Sequence, residues 1–496
     1  MLRTSSYTIY VDLPDSSEDM LLVHGYSGAY DRVSQRVATY IRSLESGRPP
    51  RPLYGEWSPE PAVDGQVVAP SDATIETLRR RGYLTTLSIE EEIAFHGRVA
   101  QNIHLHNSRP SYIFMPTYDC NLRCGYCFQD HMRTDQRYRH LLRLMRREVV
   151  DRIFAAMPQI EAYHGLEPDQ RWRASMGFFG GEPLLAQSRR AVEYIIKKAQ
   201  EQGNTTFWAI TNGTEIDSYT DLLGPHSLSQ LQITIDGPPE EHNRRRIYAD
   251  GQGSFERIAR NISMALELGV EIHLRMNIDR NNVDQLPALA QEIVRHGWHQ
   301  SALFGAYTAV IVPGNEHTDI RTTMSTWELD QAVTRLRAEH EAMHVIARPD
   351  ERIVGQAQGL LQRQGHPNMT ATFCGAHNGM YIFDPFGDIY ACWERTGDKN
   401  IRIGTIDPEQ GFVIENDQNQ RWRSRNVTTN AICRKCRYSL YCGGGCAILA
   451  ESQRGEFFMN YCDGFAARFR ASVAEAYINH REGLESTLKL TPSCDL

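Results

Sequence analysis

The sequence predicts an α/β protein built around a partial, TIM-like (β/α)6 barrel, preceded by a small mixed module and followed by a loop-rich, cysteine-laden region. Three observations predict it. Between residues 109 and 330 short apolar segments alternate with stretches of helical periodicity, the pattern of parallel strands joined by helices. Before residue 109 strands and helices follow one another without that alternation. After residue 371 long apolar runs are scarce, and seven of the eleven cysteines fall between Cys374 and Cys462. A connector, 331–370, separates the barrel from that last region.

In the first module, Tyr7 to Val11 and Met20 to Val23 read as strands joined by the polar turn Asp15-Ser16-Ser17-Glu18-Asp19. Val33, Val37 and Ile41 then share one helical face. Arg48-Pro49-Pro50-Arg51-Pro52 is a linker or turn. Asp72 to Arg81 reads as a helix ended by Gly82, and Ser88 with Glu91 forms a capping box for another. These elements fit a winged-helix-like binding module, or an addition that shields the barrel edge.

The barrel strands are expected at Tyr112–Met115, Met176–Phe179, Trp208–Ile210, Gln232–Ile235, His273–Asn277 and Leu303–Ala306, with helices such as Ala191–Ala199 and Phe255–Leu268 between them. Functional residues of such folds gather at the C-terminal ends of the strands. Glu328 to His344 is a charged helical stretch in the connector, and a closing helix is expected around Ala466–Asn479.

Composition bounds the function. At 496 residues the chain exceeds one ordinary core, and 41% hydrophobic content suits a folded protein. No apolar run reaches the ~20 residues that span a bilayer, and the N-terminus has no apolar signal core. The chain is therefore expected in the cytoplasm with no membrane partner. A net charge of −8 argues against a general nucleic-acid binder. In a reducing compartment grouped cysteines bind metal or do chemistry rather than form disulfides.

Cys120, Cys124 and Cys127 stand as C-x3-C-x2-C just after the first barrel strand. Three thiolates on one loop can hold three irons of a [4Fe–4S] cube and leave the fourth iron open to a small molecule. Zinc would want a fourth ligand, for which His131 is the nearby choice.

The run Asp119-Cys120-Asn121-Leu122-Arg123-Cys124-Gly125-Tyr126-Cys127 resembles the signature of the radical S-adenosylmethionine superfamily. Further motifs follow in that family's order. Gly180-Gly181-Glu182-Pro183 resembles its GGEP motif and Thr211-Asn212-Gly213 its TNG turn. Thr234-Ile235-Asp236-Gly237-Pro238, then His242-Asn243 and Arg246, resembles a segment of sulfatase-maturing and peptide-modifying members, with threonine where serine is usual. The resemblance implies that Cys120, Cys124 and Cys127 ligate a cluster that reductively cleaves S-adenosylmethionine to methionine and a 5′-deoxyadenosyl radical. It further implies that Tyr126 lies against the adenine, Gly180, Gly181 and Glu182 meet the ammonium end, Thr211 and Asn212 line the site, and Thr234 and Arg246 bind the carboxylate end.

Farther on, Cys374-x12-Gly387-x4-Cys392, Cys433-x2-Cys436-x5-Cys442-x3-Cys446 and Cys462 are similar to the seven-cysteine SPASM pattern. By that resemblance Cys433, Cys436, Cys442 and Cys462 hold a distal auxiliary [4Fe–4S] cluster, and Cys374, Cys392 and Cys446 a proximal one. No further cysteine lies between Cys127 and Cys374, so the proximal cluster is either open at one iron or capped from elsewhere, with Cys494 a distant candidate. Sulfatase-maturing members carry an aspartate base immediately after the cysteine matching Cys392; here Trp393 stands there, and Glu394 is the nearest carboxylate.

The implied function is a maturase of a ribosomally made precursor peptide that abstracts a hydrogen and installs a C–C or C–heteroatom cross-link. A flavodoxin or ferredoxin would supply electrons, and the N-terminal module would take up the leader as an added strand. The alternatives are a sulfatase-type formylglycine maturase, or another protein-modifying radical dehydrogenase, and, from a different class, an iron–sulfur electron-transfer scaffold.

Overall fold

The computed structural model describes residues 1–45, 67–167, 175–312, 318–349, 351–362, 368–407 and 409–481; the 48–52 linker and Cys494 lie outside these. Two compact units divide the chain. One combines residues 108–349 with 375–423, the other residues 1–107 with 350–374 and 424–496.

In the first unit all six expected barrel strands form, at Ser111–Phe114, Met176–Phe178, Phe207–Thr211, Leu228–Thr234, Glu271–Ile278 and Phe304–Val310. They pair in parallel and in chain order. Ile233, Leu274 and Met276 are fully buried, as are Ile258 and Ile262 on the Phe255–Glu267 helix. That side of the sheet is apolar, so polar strand residues are left for the other. The sheet is mixed and open rather than a closed barrel. Beside Ser111–Phe114 a further parallel strand, Met380–Phe383, joins it, and Asp388–Tyr390, Gly404–Asp407 and Gly411–Ile414 extend it antiparallel to ten strands. Gly379 permits this junction, because a Cβ there would lie 1.9 Å from the Arg109 carbonyl oxygen.

In the second unit Thr8–Leu13, Ser16–His24 and Tyr30–Ser34 form an antiparallel sheet in that order. The turn is tighter than the sequence suggests, since Ser16 to Asp19 extend the second strand. Val33 belongs to the third strand, and the helix that follows is Gln35–Ser43. Asp72–Arg81 is helical and capped by Gly82 at φ +96°. The capping box is present: Glu91 N–H donates to Ser88 Oγ and Ser88 N–H to the Glu91 carboxylate.

Strand alternation sends Ile9, Val11, Leu13, Leu21 and Val23 into one core and Tyr10, Met20 and Leu22 into another. The second core is closed by Ala38, Ile41 and Leu78 from the N-terminal helices and by Tyr83 just after them. The first is closed by Val354 and Ala357 of Glu351–Leu361 and by Phe469 and Val473 of the closing helix Phe465–Arg481. The sheet is thus covered on both faces, partly by residues from the far end of the chain. These contacts do not establish a winged-helix module; the N-terminal strands are one layer of a larger unit.

Candidate active site and cysteine clusters

The first cysteine loop leaves the end of Ser111–Phe114 and forms a short ribbon. Leu122–Cys124 pairs antiparallel with Arg246–Tyr248, placing Arg246 directly opposite Cys124. The motif residues between strand and ribbon are supports. Buried His242 accepts from Asp236 N–H and bonds Ser254 Oγ, which donates to the Arg246 carbonyl at 2.6 Å. Asn243 Oδ1 accepts from Phe255 N–H.

Around Arg246 lies a closed polar network. Its Nη1 donates to Tyr126 Oη at 2.6 Å, Tyr126 Oη donates to Asp236, and Asn277 Nδ2 donates to Tyr126 at 3.1 Å. Asp236 accepts from Asn277 N–H at 2.9 Å and pairs with Arg246 at 3.9 Å. Arg246 is 7% exposed, and its Nε has no partner among the described residues. A buried donor without an acceptor is costly, and the carboxylate of an amino-acid ligand would satisfy it. Thr234 ends the strand Leu228–Thr234, in register with Arg275 of the neighbouring strand, and among the described residues no hydrogen bond links its hydroxyl to the network. Asp236 and Asn277 are the residues sequence reasoning missed here; Asp236 stood inside the motif without an assigned role.

The Gly-Gly-Glu-Pro loop abuts the cysteine loop. A Cβ on Gly181 would lie 2.2 Å from the Asp119 carbonyl oxygen and 2.3 Å from that of Tyr118, so the glycine is what allows the two backbones to touch. Glu182, 2% exposed, accepts from Thr211 Oγ1 at 2.6 Å, Asn212 N–H at 2.5 Å and Leu184 N–H at 2.9 Å. Burial pushes its carboxyl up to about 7 against those donors. Asn212 Nδ2 reaches Asn121 Oδ1 at 2.8 Å and Cys120 Sγ at 3.7 Å. These bonds tie the GGEP and TNG loops to the cysteine loop.

The three thiols are close enough to act on one another. Burial pushes Cys120 up to about 11, with Glu182 and then Cys127 adding to it, and Cys124 up to about 12, with Cys120 and Cys127 adding to it. At neutral pH they keep their protons until a metal displaces them. Arg133, another residue missed in the sequence, donates to Cys127 Sγ at 3.3 Å. His131 packs edge-on against Tyr138. Among the described residues no three His, Cys, Asp or Glu side chains converge where one ion could sit. The donor set fits a cluster with one free iron beside a guanidinium whose Nε lacks an acceptor among the described residues.

Cys392 lies just ahead of the turn Trp393–Arg395 in the barrel unit. Trp393 packs on Phe179, ring centres 5.6 Å apart. Glu394 is half-buried; burial raises its carboxyl, and Arg275 and Arg395 oppose that shift.

The other unit holds Cys374, Cys433, Cys436, Cys442, Cys446 and Cys462. Cys433, Cys436, Cys442 and Cys462 form one group, in which burial and then the neighbouring thiols raise Cys436 to about 11 and Cys442 to about 12. Gly443, Gly444 and Gly445 are all left-handed, at φ +72°, +87° and +78°. A Cβ on Gly443 would stand 2.4 Å from the Thr372 carbonyl oxygen, and one on Gly445 2.0 Å from that of Tyr461. The triple glycine therefore draws the chain beside Cys374 and Cys462 against the loop bearing Cys442 and Cys446.

Residues 114–293 match the model of the radical SAM superfamily. These residues form a radical SAM domain, and the chain is an enzyme. The superfamily's cofactors are S-adenosylmethionine and a [4Fe–4S] cluster. The enzyme is 23% identical to a cysteine-type anaerobic sulfatase-maturating enzyme of Clostridium perfringens, over 71% of this chain and 92% of that protein. It is 25% identical to the mycofactocin maturase MftC of Mycolicibacterium smegmatis, over 66% and 76%. Its fold is similar to that of anSMEcpe with bound AdoMet and a peptide, with a TM-score of 0.56 at 18% identity, over 76% of this chain and 100% of that one. The structure of Streptococcus suis SuiB bound to its precursor peptide SuiA matches at a TM-score of 0.50 and 13% identity, over 93% and 98%. Among the described residues no helix of this enzyme is long and apolar enough to cross a membrane.

Proposed function

We propose that the enzyme matures a ribosomally made precursor peptide, taking a hydrogen atom from one residue and closing a C–C or C–heteroatom cross-link. When bound, S-adenosylmethionine and the cluster held by Cys120, Cys124 and Cys127 supply the 5′-deoxyadenosyl radical. Arg246, backed by Asp236 and Tyr126, orients the methionyl carboxylate by a charge-assisted contact. The cross-link removes two hydrogens from the peptide. One leaves as an atom; the second leaves as a proton, for which Glu394 is the candidate base, and an electron, for which an auxiliary cluster is the acceptor. Cys433, Cys436, Cys442 and Cys462 would hold the distal of two such clusters, for three in all with the first. A small electron-carrier protein would reload the first cluster.

The observation that carries the peptide reading is the N-terminal sheet. Tyr30–Ser34 is an edge strand whose side chains are at most half-buried, whereas the opposite edge, Thr8–Leu13, is packed into the core. An edge of this kind accepts an extended peptide as a further strand. The likeness to SuiB, a protein bound to its precursor peptide, extends over 93% of this chain, including most of the N-terminal region. A sulfatase-type maturase is the second reading, favoured by the C. perfringens relative and opposed by Trp393.

Anaerobic reconstitution tests the whole. Three cubes require about twelve iron atoms per chain, and dithionite with S-adenosylmethionine should release 5′-deoxyadenosine. Cys124→Ala should abolish that release. A colourless, zinc-loaded protein, or cleavage at the wild-type rate by Cys124→Ala, would sink the reading.

A further inference from the structure

Arg425 is 4% exposed, and the sequence offers no motif that marks it. Its Nε donates to the Phe457 carbonyl at 2.8 Å, Nη1 to that of Gly445 at 2.9 Å and Nη2 to that of Met459 at 2.9 Å. Gly445 immediately precedes Cys446, and Met459 lies three residues before Cys462. The guanidinium thus spans two loops that carry cysteines. Cysteines are among the groups that favour its charge, in order of influence Cys446, Cys433, Cys374 and Cys442. Guanidinium is not deprotonated in proteins, and a buried cation needs a counter-charge. Here the counter-charge is sulfur: thiolates from the group Cys433 and Cys442 on one hand, and from Cys374 and Cys446 on the other.

We infer that Arg425 is the buried counter-ion of the auxiliary iron–sulfur centres, a fixed positive charge that raises their reduction potentials while holding together the loops that carry their ligands. The inference rests on the reading of these cysteines as cluster ligands. Each centre gains one electron and no proton on reduction, so its negative charge grows by one unit. A cation fixed nearby in a medium of low dielectric stabilises that form over the oxidised one. Burial disfavours the charge on Arg425, and the sulfurs offset part of that cost. For a peptide-oxidising enzyme the consequence is direct. A higher potential makes these centres better acceptors of the electron that leaves the substrate.

The test is a dithionite redox titration followed by EPR on the full chain carrying Cys120→Ala, Cys124→Ala and Cys127→Ala, so that only auxiliary centres titrate. Iron content is measured first. About eight irons per chain support the cluster reading; none would sink that reading, and this inference with it. With iron present, Arg425→Gln should shift the auxiliary midpoints to more negative values, and Arg425→Lys should keep them near the parent. If Arg425→Gln instead loses its iron, Arg425→Lys should retain both iron and potential, because the charge is kept. Unmoved midpoints in Arg425→Gln, or equal losses in both variants, would overturn the inference and reduce Arg425 to a carbonyl clamp.

Discussion

Arg246→Gln is the substitution that most directly probes the site. The change removes one partner of a buried pair, Arg246 and Asp236 at 3.9 Å, and also the guanidinium proposed above to hold the ligand carboxylate. At an effective dielectric of ~20 two charges at that separation attract by about 4 kcal/mol. Some of this returns, because a buried guanidinium no longer has to be desolvated. Stranding Asp236, which is 1% exposed, then leaves a loss of about 3 kcal/mol. The lost contact to a ligand carboxylate is worth about 1.5–3 kcal/mol, or roughly 10- to 150-fold in affinity for S-adenosylmethionine. The two effects can be separated. Asp236→Asn with Arg246→Gln removes both charges, and Asn can still accept from Tyr126, so stability to urea should largely recover while ligand affinity does not. Equilibrium dialysis of the reconstituted protein measures the affinity, with iron content as the control for the neighbouring cluster. If the double variant binds S-adenosylmethionine within threefold of the parent, Arg246 does not hold the ligand and its role is confined to the Asp236 network.

Other consequences are equally concrete. Asp384, 2% exposed and beside Asp388, has its carboxyl pushed up to about 7 by burial. The native state therefore holds a proton that the unfolded chain releases above its ordinary value of 3.8. Stability must fall as pH rises from that value to about 7 and level off above it, by at most about 4 kcal/mol. Asp384→Asn, which can still accept from Phe386 and Asp388 N–H, should flatten this part of a urea-midpoint profile against pH; an unchanged slope would refute the assignment. Gly181→Ala must push Tyr118 and Asp119 of the cysteine loop away from the Gly-Gly-Glu-Pro loop and should lose about four irons, measured against a parent of about twelve. Gly445→Ala, at a left-handed φ of +78° and facing the Tyr461 carbonyl, should instead lose auxiliary iron and spare the first cluster's EPR signal. Binding of the precursor peptide should slow hydrogen exchange of the amides of residues 30–34; unaltered exchange there would remove the leader-strand reading.

How much of this was legible in the sequence depended on the range of the interaction involved. The parallel strands were readable because each is a local apolar run bounded by turns, and the capping box of Ser88 and Glu91 because its partners are three residues apart. The cysteine motifs were readable for the same reason: close spacing is itself the signal. What escaped was set by contacts between distant segments. Met380–Phe383 joins the parallel sheet beside Ser111–Phe114, a pairing that no period within either strand announces. Ile9 and Val11 share a core with Phe469 and Val473, which is why a separate N-terminal module looked plausible from local pattern alone.

The same division explains the arginines. Arg246 was found because a motif leads to it, while Arg133 and Arg425 carry no motif and act only through where the fold delivers them. Yet they share one physical demand. Sulfur donors that are buried titrate high and hold their protons, so a site meant to carry anionic clusters must either stay wet or import positive charge. At both groups of cysteines the chain does the second, placing a buried guanidinium against the thiols. A cation so placed lowers the free energy of the thiolate form before metal arrives and of the reduced cluster afterwards. On the cluster reading proposed above, one such side chain at each site would serve assembly and electron transfer alike.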